Sequence, residues 1–253
     1  MVKRIKSLAA KVLANSVTGF IIGRFLNYIV VDDQLKIDVT SKYISNTIKA
    51  YLFWGMYESA ESRCIRKHML RNFPVVELGA SMGVITSVIA KRKPSIHIAV
   101  EANPNMIPLI KKNININNLK EPVIENKVIS YSSLSTVKFR LSVDNTGSSI
   151  SNEAQSGADD SIIDIQALTL SEILDENNIK EYVLVSDIEG AEASIFYYDE
   201  IAIMNRCKLI IIELHNTVLN GKHVAIADIV DMLINKYKFQ IKEIDGDVYV
   251  FEH

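Results

Sequence analysis

Two glycines lie in a turn between a short, strongly apolar run and a helical pattern. Residues 77–83 read Glu-Leu-Gly-Ala-Ser-Met-Gly. Gly79 permits a tight turn in which a ligand can approach the backbone, and Gly83 opens a helix whose first N–H groups are free to face that ligand. The ligand-binding residues predicted in this turn are Glu77, Gly79, Ala80, Ser81 and Gly83.

The glycine spacing and the adjacent charge limit the kind of ligand. The pattern Gly-x-x-x-Gly lacks the middle glycine of the Gly-x-Gly-x-x-Gly motif that binds a pyrophosphate, which counts against NAD. Glu77 places a negative charge beside the turn, and this suits a cation better than a phosphate. S-adenosylmethionine carries a sulfonium cation and an α-amino group and has no phosphate, so it is the expected ligand. A plain strand–helix turn is the alternative.

A second acidic segment follows the strand predicted at 96–100. It reads Glu101-Ala102-Asn103-Pro104. A carboxylate at this strand end, about 20 residues after the glycine turn, is positioned to bind a ribose diol. A helix N-terminus that is acidic for other reasons is the alternative. Together the two segments predict nucleoside binding, with Glu101, Ala102 and Asn103 as further binding residues.

Titratable side chains also follow two later strands, predicted at 182–186 and 209–213. The first is followed by Asp187-Ile-Glu189-Gly-Ala-Glu192, in which alternation makes Asp187 and Glu189 point the same way. Acidic side chains are favoured at the start of a helix by its dipole. This explains the presence of Glu192 well and that of Asp187 poorly. Glu213 and His215 follow the second strand, and a histidine beside carboxylates can act as a general base on a hydroxyl.

These strand-end side chains allow either acid–base catalysis or metal binding. Asp187, Glu189, Glu213 and His215 offer the oxygen and imidazole ligands that divalent metals use. Their spacing is not a recognised metal signature, so the sequence favours a site without metal. We predict these four as the catalytic residues, with Asp187 also contacting the cofactor.

Short apolar runs alternate with helical patterns from residue 73 onward. Strands are predicted at 75–79, 96–100, 122–129, 137–143, 162–168, 182–186, 209–213, 239–244 and 247–251, and helices at 83–91, 104–117, 169–178, 191–204 and 224–237. The alternation predicts an α/β fold with a doubly wound, Rossmann-like, mostly parallel sheet. Asp245-Gly246 predicts a hairpin and therefore a reversed last strand. We expect a helical N-terminal extension at 1–72 before a domain at 73–253, and a loop at 144–160.

The composition excludes several classes of protein. The 253 residues are 48% hydrophobic and 23% charged, which excludes a disordered chain and a coiled coil. A formal net charge of -2 and the lack of a basic patch argue against a nucleic-acid partner. The two cysteines, Cys64 and Cys207, are far apart and form no metal-binding spacing, so we expect a reducing, cytoplasmic location.

The N-terminal segment combines basic residues with an apolar patch. Lys3, Arg4, Lys6 and Lys11 precede the patch at 17–22. That patch is far shorter than the roughly 20 residues needed to span a bilayer, so no transmembrane segment is expected. A helix that packs on the main domain is favoured, and a weak peripheral membrane contact through residues 1–25 is the alternative. No pattern specifies an oligomeric state.

The motifs resemble those of the FkbM-type family of S-adenosylmethionine-dependent methyltransferases. The turn at 77–83 resembles the family's Asp-x-Gly-Ala-Asn-x-Gly, residues 101–104 its Glu-Pro-Asn-Pro, and residues 187–192 its Asp-Val-Glu-Gly-Ala-Glu. Residues 54–58, the asparagines at 113 and 117 and the Glu-x-His at 213–215 are also similar, so the resemblance covers about residues 51–215. Ser81 replaces an asparagine of the family pattern, and Ser186 replaces a frequent lysine.

The resemblance implies a class I methyltransferase sheet and methyl transfer to a hydroxyl oxygen of a small molecule or glycan, of sugar, polysaccharide or polyketide type. Glu77 would then help to bind the methionine end of the cofactor, and Glu101 its ribose. Asp187 and Glu189 would lie nearest the reacting centre, where Glu213 and His215 orient or deprotonate the acceptor. The alternatives are an NAD-dependent oxidoreductase on a similar sheet and a non-catalytic nucleoside-binding protein.

Overall fold

The computed structural model describes residues 14–141, 149–150 and 161–253. The described chain begins with three helices and one β-hairpin, namely α1 (Ser16–Phe25), β1 (Tyr28–Val31), β2 (Leu35–Asp38), α2 (Asn46–Phe53) and α3 (Ser59–His68). The Asn15 side chain accepts hydrogen bonds from the N–H groups of Val17 and Thr18 and so caps α1.

A seven-stranded sheet forms the centre of the described fold. Its spatial order is β14 (Gln240–Asp245), β15 (Val248–Glu252), β11 (Cys207–Glu213), β10 (Tyr182–Ser186), β3 (Val75–Leu78), β4 (His97–Val100) and β5 (Val123–Glu125). Strand β15 is antiparallel to both neighbours, and the other adjacent pairs are parallel. The predicted, mostly parallel sheet with a reversed last strand is therefore confirmed. The reversed strand lies between β11 and β14 rather than at the edge.

Both faces of the central sheet are covered. On β10, Tyr182 and Leu184 pack in one hydrophobic core, whereas Val183 and Val185 pack in another, because side chains alternate across a strand. Burial on both faces explains why the central strands are continuous apolar runs. The connecting helices are α4 (Val84–Lys91), α5 (Ile107–Ile116), α6 (Leu170–Glu176), α7 (Glu192–Tyr198), α8 (Ile201–Met204) and α9 (Ile226–Asn235).

The order of the strands creates a switch point beside β3. The chain adds β4 and then β5 on one side of β3, and it returns later to place β10 on the other side. Ligands of open α/β sheets bind outside the carboxyl ends of the strands at such a point. The fold therefore places a ligand site between the ends of β3 and β10.

The capping box predicted for the helix at 169–178 is present at the start of α6. The Thr169 hydroxyl accepts a hydrogen bond from the Glu172 N–H at 3.2 Å, and the Glu172 carboxylate accepts one from the Thr169 N–H at 2.7 Å. These two bonds satisfy N–H groups that the helix itself leaves without partners.

A smaller sheet flanks the ligand side of the molecule. Its order is β6 (Val128–Ile129), β9 (Ser161–Leu168), β7 (Thr136–Leu141) and β8 (Ser149–Ile150), and β12 (Thr217–Leu219) forms a separate hairpin with β13 (Lys222–Val224). The single strand predicted at 122–129 is wrong: it is two short strands in different sheets. The chain bends at Asn126, whose amide donates hydrogen bonds to the carbonyl oxygens of Glu101 and Ala102.

The purely helical prediction for residues 1–72 is incomplete, because it missed the hairpin β1–β2. Ile29, Leu35 and Ile37 of this hairpin are buried. The hairpin is bound to α5 by two asparagines, since Asn113 Oδ1 accepts the N–H of Asp38 at 2.8 Å and Asn117 Oδ1 accepts that of Lys36 at 2.8 Å. The division of the chain at residue 72 stays a prediction.

Two helix predictions differ from the structure in their bounds. The helix predicted at 191–204 is interrupted, because Asp199 and Glu200 are extended, with ψ of 148° and 149°. Tyr131 donates a hydrogen bond to the Asp199 carboxylate at 2.5 Å, at the site of the break. The helix predicted at 104–117 begins only at Ile107, so Pro108 rather than Pro104 lies in its first turn.

Two predicted segments fall outside the described residues. They are the basic positions at 3–11 and most of the loop at 144–160, of which only 149–150 is described. Within the described part of the chain, every helix is too short or too polar to cross a lipid bilayer.

Candidate active site

A cavity of about 640 Å³ opens at the carboxyl ends of β3, β4 and β10, where the switch point lies. Its volume is in the range of small-molecule sites. The predicted residues that line it are Gly79, Ser81, Glu101, Ala102, Asp187 and Glu189. The structure thus brings together residues that are more than a hundred positions apart in the sequence.

The glycine turn fits tightly against the end of β10. Gly79 has φ of +86°, and a Cβ there would lie 1.9 Å from the carbonyl oxygen of Asp187. Only glycine tolerates this approach. Ala80 is buried, and its N–H donates to the Val100 carbonyl oxygen at 3.1 Å. Gly83 lies farther along, at the N-cap of α4 with φ of 87°, and does not line the cavity.

Glu101 is the best-positioned of the predicted binding residues. Its carboxylate accepts the N–H of Ser81 at 2.6 Å and that of Asn103 at 2.7 Å, so it is held between the glycine turn and the end of β4. Burial raises the pKa of Glu101 to about 7 despite these two bonds, which favour the ionised form. Asn103 is itself buried and supports Glu101 rather than lining the cavity.

Glu77 does not have the predicted position. Its side chain is buried, with one carboxylate oxygen accepting the Thr86 hydroxyl at 2.9 Å and the other lying 2.8 Å from Nε2 of His97. Both partners lie inside the protein, and Glu77 does not line the cavity. The prediction that Glu77 binds the methionine end of the cofactor is therefore corrected: its carboxylate joins β3 to α4 and β4.

Asp187 and Glu189 both face the cavity, as predicted, but alternation along a strand is not the reason. Strand β10 ends at Ser186, and Glu189 lies in a turn with φ of 54°. The Asp187 Oδ1 atom is buried without a hydrogen-bond partner in the described part of the chain. Burial, together with the charges of Glu213 and Glu189, raises the pKa of Asp187 to about 7. Glu192 has a different task, because its carboxylate accepts the N–H groups of Ile188 and Gly190 at 2.7 and 2.8 Å.

Glu213 and His215 lie behind the cavity wall and do not line it. His215 Nε2 lies 3.8 Å from both Glu189 and Glu213, and Nδ1 lies 3.5 Å from Glu192. The neighbouring carboxylates, chiefly that of Glu192, raise the pKa of His215 to about 9. His215 is therefore mainly protonated at neutral pH in the ligand-free chain, which favours a positioning role over that of a base.

Several cavity residues were not predicted. Tyr57 and Glu58 precede α3, and the Tyr57 hydroxyl lies 3.3 Å from that of Ser81. Residues 127–132 follow β5, and the same strand-end rule would have found them if β5 had been predicted to end at residue 125. Residues 217–220 also line the cavity, but they form no sequence motif that predicts a binding site.

The side chains that line the cavity fit S-adenosylmethionine. Glu58 Oε2 is a buried acceptor without a hydrogen-bond partner among the described residues, as a cationic amino acid end would require. Glu101 offers the remaining lone pairs of an oriented carboxylate to a ribose diol. No lining residue contradicts the prediction of this cofactor.

Comparisons with known proteins find one matching family and several solved structures of low sequence identity. The curated proteins include no match. Among solved structures, the chain is similar to the ribosomal protein L11 methylase from Lactobacillus delbrueckii subsp. bulgaricus, at 10% identity and a TM-score of 0.43, covering 78% of this chain and 77% of that one. It is also similar to the magnesium protoporphyrin IX methyltransferase of Synechocystis PCC 6803 with bound SAM, at 10% identity and a TM-score of 0.41, covering 77% and 76%.

The family model covers most of the chain. The model of the methyltransferase FkbM domain matches residues 77–241, which include the glycine turn, Glu101, the acidic segment at 187–192 and His215. This match confirms the resemblance seen in the motifs and identifies S-adenosylmethionine as the cofactor. It supports methyl transfer over the NAD-dependent alternative. The chain belongs to the FkbM family of S-adenosylmethionine-dependent methyltransferases.

Proposed function

We propose that this methyltransferase acts on a hydroxyl oxygen of a small molecule or glycan, of sugar, polysaccharide or polyketide type. The proposal rests on Asp187, which follows β10 at the cavity and has an Oδ1 atom without a hydrogen-bond partner in the described chain. A free carboxylate at this place can accept the proton that a hydroxyl loses when it is methylated. When bound, S-adenosylmethionine supplies an electrophilic methyl group.

The proposed roles of the chain's residues follow from their places in the cavity. Glu101 binds the ribose, and Gly79, Ala80 and Ser81 shape the turn beside it. Glu58 replaces Glu77 as the carboxylate facing the methionine end, because Glu58 lines the cavity and has a free oxygen.

The proposed acceptor side is formed by Asp187 and Glu189, which line the cavity. Glu213 and His215 support these two residues from behind, since His215 lies 3.8 Å from both Glu189 and Glu213. Alignment of the acceptor oxygen by such groups is the larger part of what a methyl-transfer site must supply.

The charge of the cavity supports an uncharged acceptor. Glu58, Glu101, Asp187 and Glu189 line it, against a single lining cation, Lys127, in the described residues. This balance repels the phosphates of a nucleic acid, whose binding depends on lysine and arginine contacts. A sugar or polyketide hydroxyl meets no such repulsion.

The proposal includes a cytoplasmic location. Cys64 and Cys207 are both buried and unpaired, as in proteins of reducing compartments. A peripheral membrane contact through residues 1–25 is a further part of the proposal. It is supported by Phe20 and Phe25 of α1, which are 62% and 81% exposed.

An assay of the full chain with S-adenosylmethionine and a panel of sugars, oligosaccharides and polyketides tests the proposal. We expect S-adenosylhomocysteine release together with a product methylated on oxygen. Asp187→Asn is expected to lower turnover by about 100-fold or more and to change cofactor affinity much less. Asp164→Asn, on the exposed part of β9, is the matched control and should keep full turnover.

Two results would contradict the proposal. Methylation only of amines or carboxylates would exclude a hydroxyl acceptor. Equal losses of turnover and of cofactor affinity in Asp187→Asn would move Asp187 from the acceptor side to the cofactor side of the cavity.

A further inference from the structure

Three carboxylates from separate elements meet beside the cavity. Glu61 lies on α3, Asp187 follows β10 and Glu213 ends β11, and one oxygen of each lies within 4.8 Å of the others. Two oxygens bound on opposite sides of a divalent cation are about 4–5 Å apart, given metal–oxygen bonds of about 2.0–2.6 Å. The three carboxylates are therefore spaced as ligands of one ion could be.

The most buried member of this group has no partner. Glu61 is 4% exposed, and no N–H or hydroxyl in the described part of the chain donates a hydrogen bond to its carboxylate. The Asp187 Oδ1 atom, just after β10, is itself buried and has no hydrogen-bond partner among the described residues. Buried carboxylates are normally paired or bound to metal, because loss of hydration is costly.

The chain itself supplies little positive charge to this group. In the residues that the structure describes, no lysine or arginine forms an ion pair with Glu61, Asp187 or Glu213, and His215 Nε2 lies 3.8 Å from Glu213. Burial raises the pKa of Glu61 well above its usual value, and the charges of Glu58 and Asp187 raise it further. An external cation would remove this repulsion.

A second grouping of ligand atoms, formed by Asp187, Glu192 and His215, is less suitable. The Glu192 oxygens already accept the N–H groups of Ile188 and Gly190, so binding a metal would compete with two backbone hydrogen bonds. Glu61 and Glu213 have no such prior partners.

We propose that Glu61, Asp187 and Glu213 bind one divalent cation that prefers oxygen ligands, of the Mg²⁺, Mn²⁺ or Ca²⁺ class. This proposal differs from the metal-free reading that the sequence favours, because the sequence could not place Glu61 beside the other two carboxylates. Asp187 is shared with the cavity, so the ion would lie next to the acceptor and could bind its oxygen. That last role rests on the proposed function, whereas the cation site does not.

Titration of the full chain with Mn²⁺ tests the site without any need for activity. The protein is first treated with EDTA and desalted, and binding is followed by calorimetry and by the Mn²⁺ electron paramagnetic resonance signal. We expect one saturable site, with competition by Mg²⁺ or Ca²⁺. Glu61→Gln should weaken Mn²⁺ binding by about tenfold or more, because loss of a ligand costs at least as much as loss of an outer partner.

The controls separate the ion site from folding and from the proposed reaction. Glu121→Gln removes an exposed carboxylate that pairs with Lys111 and should bind Mn²⁺ as the parent chain does. Without metal, Glu61→Gln should melt at the same temperature or higher, since a buried repulsive charge is removed. Affinity for S-adenosylhomocysteine is measured on the same samples and should change little.

Absence of saturable Mn²⁺ binding, with or without S-adenosylhomocysteine, would overturn the proposal, as would an unchanged affinity in Glu61→Gln. Failure of hydroxyl methylation with Mn²⁺ binding intact would contradict the proposed function and leave the cation site supported.

Discussion

Single residues decide which atoms a ligand can reach in this cavity. Gly79 brings the glycine turn against the backbone of Asp187, and Glu101 is held by two backbone N–H groups. Asp187 and Glu58 also line the cavity, and one carboxylate oxygen of each has no hydrogen-bond partner among the described residues. The site therefore combines two backbone segments in close contact with carboxylate oxygens that can accept hydrogen bonds from a ligand.

Gly79→Ala tests the close approach between β3 and β10. Its Cβ would lie 1.9 Å from the Asp187 carbonyl oxygen in addition to being strained at φ of +86°. We expect the free energy of unfolding to fall by about 2–4 kcal/mol, measured in urea, and S-adenosylhomocysteine affinity to fall with it.

Gly246→Ala is the matched control for that change. Gly246 also has positive φ, +68°, but a Cβ there would have no atom within 4 Å. Its free energy of unfolding should fall by only about 1–2 kcal/mol, the cost of the backbone conformation, and its affinity for S-adenosylhomocysteine should not change. Equal losses in the two variants would show that contact with Asp187 is unimportant.

At the scale of elements, helices and loops position these residues by specific bonds. Asn113 on α5 joins two parts of the molecule, because its amide donates to the Met82 carbonyl oxygen of the glycine turn and its oxygen accepts the Asp38 N–H of the hairpin. Asn126 similarly binds the carbonyl oxygens of Glu101 and Ala102. The glycine turn is thus connected to the N-terminal hairpin, and the end of β4 to the chain that follows β5, by asparagine side chains.

Much of the element order could be predicted from the sequence, because buried parallel strands are continuous apolar runs. Strand β10 has the predicted bounds, and the Thr169 capping box identified α6. The position of Glu77 could not be predicted, since it depends on Thr86 and His97 across the sheet. Glu61 was missed for the same reason: only the packing of α3 brings it to Asp187 and Glu213.

Thr169→Ala tests the cap of α6. The change removes the hydroxyl that accepts the Glu172 N–H, so the free energy of unfolding should fall by about 1 kcal/mol. Urea unfolding followed by circular dichroism measures it. Thr47→Ala in α2 is the control, because the Thr47 hydroxyl has no hydrogen bond to the described residues. It should lower the free energy of unfolding by less than half as much. Equal losses in the two variants would argue against the cap.

At the scale of the whole molecule, buried carboxylates make stability depend on pH. Glu101 has its pKa raised to about 7 and Asp199 to about 6, in each case chiefly by burial. The unfolded chain holds these groups near 4, so the folded state binds more protons between pH 4 and 7. The stabilisation is complete below pH 4 and is lost as the pH rises through 6 to 7.

The ligand-free chain should accordingly be less stable at pH 8 than at pH 5. We expect these two groups to lower the free energy of unfolding in urea by about 4 kcal/mol over this interval, and Asp187, whose pKa is also raised to about 7, adds to the fall. In Glu101→Gln, which cannot ionise at this position, the fall should be smaller by about 2–3 kcal/mol. Stability that rises from pH 5 to pH 8 would contradict the burial of ionisable carboxylates at the cavity.

Calorimetric titration of the full chain with S-adenosylhomocysteine and, separately, with NAD shows which cofactor the cavity binds. We expect S-adenosylhomocysteine to bind and NAD to give no heat of binding. Glu101→Gln should weaken S-adenosylhomocysteine binding by about tenfold or more, because hydrogen bonds to a charged carboxylate are lost. Binding of NAD alone, or an S-adenosylhomocysteine affinity that is unchanged in Glu101→Gln, would contradict this expectation.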